Sequence, residues 1–267
     1  MAMSDTGHVE SDAGTRWFDS ARAVLDTVAA QHQAIEQASQ LCTEAIAGDG
    51  LVHVFGTGHS RIPLEEMFPR YGSYPGFHPI AELSMTFHTQ VVGANGQRQA
   101  MFIERISGLA EQILANFDLG PPDVMMVFSA SGRSAVPIEM AIGARARSLK
   151  VIAVTSVTQS MSGPATHTSG TRLLDHADVV LDLGTPAADA MVSIPNMEAP
   201  VGPGSTIANV AFVNAIKVRT AELLAGRGVT LPVITSESVV GHQRSAELFD
   251  AAYNEYARRM VKALRTS

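Results

Sequence analysis

The chain has 267 residues, of which 46% are hydrophobic, and its 19 basic and 26 acidic residues give a formal net charge of -7. This apolar content can bury a sizeable core, and the scattered basic residues exclude the charged stripe that nucleic-acid-binding proteins use. The single cysteine, Cys42, excludes an internal disulfide and a zinc knuckle, so a reducing cytoplasm is the simplest compartment.

The first 15 residues predict a disordered tail, because they carry Asp5, Glu10 and Asp12 and lack the apolar segment of a signal peptide. We expect one α/β domain over residues 16–267. No uninterrupted apolar run approaches the roughly 20 residues that a membrane-spanning helix needs. The sequence therefore predicts no association with a membrane.

The predicted elements alternate between helices and strands. Apolar residues at helical spacing indicate helices, and short apolar runs indicate buried strands. The expected helices cover residues 16–47, 101–117, 135–147, 206–224 and 243–264, with a short helix beginning near Pro63. The expected strands cover residues 51–55, 77–80, 124–128, 151–155 and 179–183, and the polar residues 156–172 are expected to form a long loop.

This alternation predicts a parallel sheet covered by helices on both faces, because parallel neighbours need crossover connections that are usually helical. In such sheets ligands bind beyond the carboxyl ends of the strands. Two unusual loops lie at such ends. The glycine loop, Gly56-Thr57-Gly58-His59-Ser60, follows the first strand, and the serine loop, Ser129-Ala130-Ser131-Gly132-Arg133-Ser134, follows the third.

Both loops have the composition of an anion-binding site. Glycine lets backbone N–H groups approach a ligand closely, serine hydroxyls add rotatable donors, and the start of a following helix contributes unpaired N–H groups. We therefore expect a phosphorylated small molecule as the ligand. A plain turn with Ser134 as a helix N-cap is the alternative for the serine loop, and a Rossmann dinucleotide site is disfavoured because the glycine loop lacks the third glycine.

The two loops resemble the signature of the sugar isomerase (SIS) domain family. The matching residues are Gly56, Gly58 and Ser60 for G-x-G-x-S, Ser129, Ser131, Gly132 and Ser134 for S-x-S-G-x-S/T, and Thr155-Ser156 after the next strand. The resemblance covers residues 34–224 and is strongest to a bacterial branch that is similar to phosphoheptose isomerases. It implies a three-layer α/β fold, with a five-stranded parallel sheet flanked by helices, and a phosphosugar ligand without a required organic cofactor.

The resemblance also implies roles for the loop residues. Ser129, Ser131 and Ser134 would hold the phosphate. The residues expected beside them are Gly132, Arg133, Thr155 and Ser156, and those expected to contact phosphate or sugar hydroxyls are Gly56, Thr57, Gly58 and Ser60. A solvated surface arginine is the alternative for Arg133.

Aldose–ketose isomerisation needs a base that moves a proton between adjacent carbons. In phosphoheptose isomerases, which the chain resembles, a glutamate in the helix after the glycine loop is that base, and Glu66 matches it, although the interval from the loop is shorter here. Glu65 and Glu66 point about 100° apart on a helix, so at most one faces the ligand. Two first-turn acids favoured by the helix dipole are the alternative.

Those isomerases also use a histidine from a later helix, and residues 206–224 contain none. His59 in the glycine loop is the best local substitute, and His78, His88 and His242 are weaker candidates. Each of them alone is more often a structural or surface histidine. No spacing typical of metal ligands appears, so no metal is expected.

The sequence thus predicts a sugar-phosphate isomerase, and the resemblance implies a homodimer or homotetramer. A lyase or etherase of a phosphorylated amino sugar, a deaminating isomerase and a non-catalytic phosphosugar sensor stay open as alternatives. Sensors of that kind usually carry a DNA-binding domain, and nothing in the sequence resembles one.

Overall fold

The computed structural model describes residues 12–86 and 96–264 of the chain. The strands in these ranges are β1 Val52–Gly56, β2 Phe77–Ile80, β3 Val124–Phe128, β4 Lys150–Thr155, β5 Val179–Asp182, β6 Ala190–Val192 and β7 Val201–Pro203. The helices are α1 Ala13–Ala29, α2 His32–Ala47, α3 Ile62–Met67, α4 Gly96–Ile103, α5 Leu109–Leu114, α6 Ala135–Ala146, α7 Val157–Met161, α8 Ser205–Gly226, α9 Glu237–Val240 and α10 His242–Ala263. Short 3-10 turns cover Gly58–Arg61, Leu83–Met85 and Leu173–His176.

Strands β1 to β5 form one parallel sheet in the order β2-β1-β3-β4-β5. Strand β1 lies between β2 and β3, with Phe55 opposite Ile80 on one side and Val127 on the other. The predicted α/β fold, with a five-stranded parallel sheet flanked by helices, is therefore confirmed. Strands β6 and β7 add a separate antiparallel hairpin that the sequence pattern does not predict.

Each central strand is buried on both faces, which explains why the strands are nearly continuous apolar runs. Val52 and Val54 of β1 pack in one core with α1, α2 and α8. Phe55 packs in a second core with α5 and α6. The two cores lie on opposite faces of the sheet, so the domain has three layers: helices, sheet and helices. Among the residues that the structure describes, no helix combines the length and the apolar character needed to cross a membrane.

The single helix predicted over residues 16–47 is two helices in the structure, because the helical backbone is interrupted between Ala29 and His32. At the break, the Gln31 side chain donates from Nε2 to the Asp182 carbonyl at 2.7 Å and accepts from the Asp182 N–H at 2.9 Å. This paired contact ties the break to β5. Helical periodicity does not register such a tertiary contact, so the single-helix prediction was wrong.

Two further segments differ from their predictions. The helix expected over residues 101–117 is divided into α4 and α5 by Gly108, whose φ of 87° is left-handed and whose N–H donates to Glu139 at 2.7 Å. The expected loop over residues 156–172 contains α7, which Ser156 caps by accepting from the Gln159 N–H.

The amino-terminal helix begins earlier than expected. Helix α1 starts at Ala13, where the Asp12 side chain accepts from the Thr15 N–H. The end of the predicted tail is therefore helical, and residues 1–11 lie outside the described residues.

A buried pair of histidines lies in the amino-terminal half of the sheet. His53 on β1 and His78 on β2 are register partners, and their Nδ1 atoms are 2.9 Å apart. Asp123 Oδ2 lies 3.4 Å from His53 Nε2, and the Tyr256 ring lies near His78. Burial, with the neighbouring His53 as a second cause, lowers the pKa of His78 to about 3, and Asp123 opposes this shift.

The histidine pair predicts a loss of stability in acid. His78 has a folded-state pKa of about 3 against an ordinary value of 6.5, so between these values the unfolded chain binds the extra proton. The free energy of unfolding should therefore fall as the pH drops from about 6.5 towards 3. His78→Asn keeps a polar partner for His53 but does not titrate. Urea unfolding at several pH values should give a shallower pH dependence for this variant, and an unchanged slope would contradict the prediction.

The glycine loop turns sharply where it leaves β1. A Cβ atom on Gly56 would overlap the carbonyl oxygen of Ser60, and it would lie 3.3 Å from Leu64 Cδ1. Gly58, with φ of 56°, is left-handed. A glycine at position 56 is therefore a steric requirement, and it brings the loop back over the end of its own strand.

The close approach at Gly56 predicts that Gly56→Ala destabilises the protein by about 1–3 kcal/mol or more, because the added methyl must displace backbone rather than a flexible side chain. Gly226→Ala is the matched control, since a Cβ there meets nothing within 4 Å and the position is the last of helix α8. Denaturant unfolding of both variants checks the prediction. Equal midpoints for Gly56→Ala and the wild type would contradict it.

Candidate functional site

A cavity of about 820 Å³ opens beside the serine loop, at the carboxyl edge of the sheet. We call it the main cavity. Its wall combines the segment after α4, the serine loop and the polar residues after β4. Its lining residues include Glu104, Ser131, Arg133, Ser134, Gln159 and His167.

Three of the predicted serine-loop residues, Ser131, Arg133 and Ser134, line the main cavity. Ser131 Oγ accepts from the Arg133 N–H at 3.4 Å, which leaves the hydroxyl proton of Ser131 for donation. The Arg133 guanidinium lies so close to Gly163 that a Cβ there would be 2.7 Å from Nη1. Arg133 is therefore a half-buried wall residue rather than a freely solvated arginine.

The remaining predicted residues of this region support the loop from beneath. Ser129 is buried, and its Oγ accepts from the Gly132 N–H at 3.2 Å. Thr155 donates its hydroxyl proton to the Ala130 carbonyl at 3.2 Å, and Ser156 donates to the Thr185 carbonyl at 2.8 Å. These bonds fix the shape of the loop, and a direct contact of these residues with a ligand stays a prediction.

Gly132 lies where there is little space for a side chain. Its φ is 59°, in the left-handed region, and an added Cβ would lie 2.9 Å from Thr155 Oγ1 and 3.2 Å from Ser160 Oγ. The glycine thus lets the serine loop pack tightly against the end of β4. This close approach is the local reason for the S-G pair within the loop.

Glu104 joins the two loops, and sequence reasoning missed it. Its Oε2 accepts from the Thr57 hydroxyl at 2.5 Å, and its Oε1 accepts from the Ser134 hydroxyl at 2.9 Å. Thr57 is therefore linked to the wall of the main cavity through Glu104. No motif marks this residue, because its partners are 47 and 30 positions away in the chain.

His167 is a second cavity residue that was not predicted. Its side chain is only 6% exposed, and Nε2 lies 3.2 Å from Glu139 Oε1. Nδ1 lies 2.7 Å from Ser169 Oγ and also accepts from the Ser169 N–H at 3.3 Å, so the Nε2 proton is directed at Glu139. The signal that could have found it is the polar composition of residues 156–172, which predicts a loop but does not single out its histidine.

The two glutamates of α3 point in different directions, as predicted. Glu65 pairs with Arg61, and its side chain is 67% exposed. Glu66 Oε2 pairs with Arg70 at 2.6 Å, and Oε1 accepts from Asn214 Nδ2 of α8 at 3.2 Å. Glu66 thus faces α8 and is not among the described residues that line the main cavity.

A lysine of α8 lies close to Glu66. Lys217 Nζ donates to the Glu66 carbonyl at 2.8 Å, and burial of the ammonium group lowers the pKa of Lys217. The carboxyl-terminal end of α3 is therefore fixed to α8 by both backbone and side-chain contacts.

The predicted histidine candidates lie in separate places. His59 is exposed on the 3-10 turn Gly58–Arg61, beside Ser60. His78 belongs to the buried pair with His53, in the amino-terminal half of the sheet, and His242 is exposed and pairs with Glu237 at 2.9 Å. His88 lies outside the described residues.

A smaller cavity of about 400 Å³ opens at the opposite edge of the sheet, lined among others by Asp49, Asp123, Arg259 and Lys262. Asp49 forms ion pairs with Arg258 and Lys262, and these hold the pKa of its carboxyl well below the usual range. Within residues 12–86 and 96–264, no group of three or more histidine, cysteine, aspartate or glutamate side chains is arranged to hold a metal ion.

Comparison with known proteins places the chain in a family. The family model of the SIS domain matches residues 16–156. A UPF0309 protein of Listeria monocytogenes serotype 4b is 34% identical over 221 residues, which cover 83% of this chain and 87% of the relative. A UPF0309 protein of Halalkalibacterium halodurans is 35% identical over 238 residues, covering 89% of this chain and 94% of the relative.

The fold has a solved counterpart. A phosphoheptose isomerase from Francisella tularensis superposes with a TM-score of 0.51 at 16% identity, covering 78% of this chain and 96% of that protein. This likeness concerns the fold. The family match and the relatives confirm the resemblance carried by the two loops, and the chain belongs to the SIS domain family and to the bacterial UPF0309 proteins.

Proposed function

We propose that the protein binds a phosphorylated sugar in the main cavity and interconverts its aldose and ketose forms without an organic cofactor. The observation that carries the proposal is the serine loop, which presents Ser131 and Arg133 to a polar cavity at the carboxyl edge of a parallel sheet. Membership of the SIS domain family supports this class of ligand. The Francisella protein of similar fold is named a phosphoheptose isomerase.

A phosphate at Ser131 and Arg133 would meet two kinds of donor. The Ser131 hydroxyl has its proton available, and the Arg133 guanidinium can form paired, charge-assisted hydrogen bonds. Both side chains line the main cavity.

The rest of the main cavity suits the sugar. Its volume of about 820 Å³ lies within the range of roughly 300–1,000 Å³ that is typical of small-molecule sites. The buried Oε1 of Gln159 has no hydrogen-bond partner among the described residues. Because an unpaired buried acceptor is costly, a sugar hydroxyl that donates to Gln159 would remove this cost.

Isomerisation also needs a carboxylate that exchanges a proton with the sugar carbons. The resemblance assigns this role to Glu66, with His59 as its acid–base partner in place of the missing helix histidine. The contacts of Glu66 with Arg70 and Asn214 hold its carboxylate against α8. Glu104 is a carboxylate that does line the main cavity.

The serine loop predicts that sugar monophosphates, but not the same sugars without phosphate, raise the melting temperature, since ligand binding to the folded state stabilises it. Ser131→Ala should weaken this binding by about 1.5–3 kcal/mol, or roughly tenfold to a hundredfold in Kd, the value of one hydrogen bond to a charged group. Thermal shift over pentose, hexose and heptose monophosphates, followed by calorimetry, measures both effects.

Ser162→Ala is the control for Ser131→Ala, because Ser162 donates to the Gln159 carbonyl and is exposed on the surface. It should leave the affinity nearly unchanged. Equal stabilisation by a sugar and its phosphate would contradict phosphate binding. Binding without any interconversion would favour the sensor over the isomerase.

We also propose a symmetric homodimer or homotetramer. Phe18 and Leu25 of α1 are exposed, and so are Phe249 and Tyr253 of α10, whose rings stack 4.6 Å apart. An interface between copies would bury such side chains. Light scattering at micromolar protein concentration should give a mass of at least two chains, and the mass of a single chain would contradict the proposal.

A further inference from the structure

We propose that Glu104 is the catalytic residue that transfers the proton between the sugar carbons, an inference that rests on the proposed isomerase function. The Glu104 carboxylate lines the main cavity and joins the glycine loop to the serine loop. It therefore lies where the two sequence signatures of the site meet.

Glu104 is held firmly in place. Its carboxylate accepts from the hydroxyls of Thr57 and Ser134 at 2.5 and 2.9 Å, and its carbonyl accepts from the Val136 N–H of α6 at 2.9 Å. Its own N–H donates to the Ala100 carbonyl of α4 at 3.0 Å. Such anchoring of both backbone and side chain is what a proton-transferring group needs, because the rate depends on its position.

The carboxylate keeps capacity for a substrate. Two carboxylate oxygens offer about four lone-pair sites, and Thr57 and Ser134 occupy one on each oxygen. Both of these contacts present Glu104 as an acceptor. A carbon-bound proton of a sugar in the main cavity can therefore be taken without breaking either bond.

The hydrogen bond from Ser134 to Glu104 indicates which residues of the main cavity are left to bind the phosphate. A serine hydroxyl carries one proton, and that of Ser134 is directed at Glu104. Ser134 then cannot also donate to a phosphate, and a phosphate beside Glu104 would face a like charge. The phosphate is left to Ser131 and Arg133, and Ser134 becomes a positioning residue for Glu104.

Glu66, by comparison, has partners that lie elsewhere. Arg70 and Asn214 hold its two oxygens on the side of α8. A sugar seated in the main cavity contacts the wall that contains Glu104. The positions of the two carboxylates therefore favour Glu104 over Glu66 as the base, a choice that the sequence alone does not indicate.

The proposed step is balanced in atoms and electrons. Glu104 takes the proton from C2 of the open-chain aldose phosphate, and the C2–H electron pair forms the C1=C2 bond. The C1=O π pair moves onto O1, which takes a proton from solvent water to give the enediol. The C1=C2 electron pair then takes the proton back from Glu104 to form the new C1–H bond, while O2 gives its proton to solvent water and the O2–H electron pair forms the C2=O bond. Nothing is oxidised or reduced overall, and Glu104 ends as it began.

Solvent exchange measures this proton directly. A proton held by a carboxylate exchanges with water, so sugar monophosphates incubated in D₂O should gain deuterium at C1 or C2, which proton NMR detects. We would test pentose, hexose and heptose monophosphates with the wild type, Glu104→Gln, Glu66→Gln and Glu65→Gln. Glu65 is the exposed control.

We expect Glu104→Gln to lower deuterium incorporation about 100-fold or more, the usual effect of removing a positioned base, while the sugar phosphate still raises the melting temperature. Glu65→Gln should stay within about threefold of the wild type, and Glu66→Gln tests the rival base that the family resemblance implies. If Glu66→Gln loses deuterium incorporation while Glu104→Gln retains it, the proposal is overturned in favour of Glu66.

A different role for Glu104 has its own signature. If its carboxylate merely occupies the place of the phosphate, Glu104→Gln should bind sugar phosphates more tightly and keep its exchange rate, which would overturn the proposal. If the wild type binds sugar phosphates but exchanges no proton with any of them, the isomerase function itself fails, and no variant is needed to see it.

Glu104→Asp is a second variant that keeps the proposal testable if Glu104→Gln fails to fold. It keeps the charge and the acceptor oxygens but withdraws them by one methylene. Exchange should fall strongly in this variant, with KM nearly unchanged and kcat reduced, because the base is displaced rather than the binding groups. A rate close to that of the wild type for Glu104→Asp would contradict a role that depends on position.

Discussion

The pairing of β1 with β3 is the constraint on which the rest of the site depends. The chain leaves β1 to form β2 on one side and returns past β1 to form β3 on the other. The helices that follow the two strands then pack on opposite faces, with Leu64 of α3 in one core and Val136 of α6 in the other. Loops that diverge in this way open a crevice at the carboxyl edge, which is where sheets of this type bind ligands.

Glu104 spans that crevice by bonding to both loops, and the residues around it have different structural roles. Gly56 and Gly132 allow each loop to fold tightly against the sheet, since a Cβ at either position would meet backbone or side-chain atoms. Thr155 and Ser156 use their hydroxyls to hold the serine loop. Hydroxyls that look alike in the sequence therefore have different tasks, and Ser131 is one that faces the main cavity.

Much of the fold could be predicted, because β1 and β3 are buried along their whole length and their sequences are nearly continuous apolar runs. Strand β3 has the predicted bounds, and β1 is shifted by one residue from the predicted 51–55. The helices are less accurate where tertiary contacts end them. Gln31 interrupts a periodic segment to bond with Asp182, and Gly108 turns the chain towards Glu139.

The site was predictable only where it depends on local sequence. The loops carry their glycines and serines in short motifs, and the amino-acid pattern alone singles out Ser131, Arg133 and Ser134, which line the main cavity. Glu104 and His167 could not be found in this way, because each is a single residue whose partners come from distant segments. Long-range side-chain pairing leaves no periodicity or spacing to detect.

The orientation of a bound sugar phosphate relative to Glu104 can be measured in a crystal structure of the protein with a hexose monophosphate. We expect the phosphate within hydrogen-bond distance of Ser131 Oγ and the Arg133 guanidinium, with the sugar carbons extending towards Glu104. A phosphate bound instead in the opposite-edge cavity, beside Arg259 and Lys262, would contradict both the assignment of the main cavity and the role of Glu104.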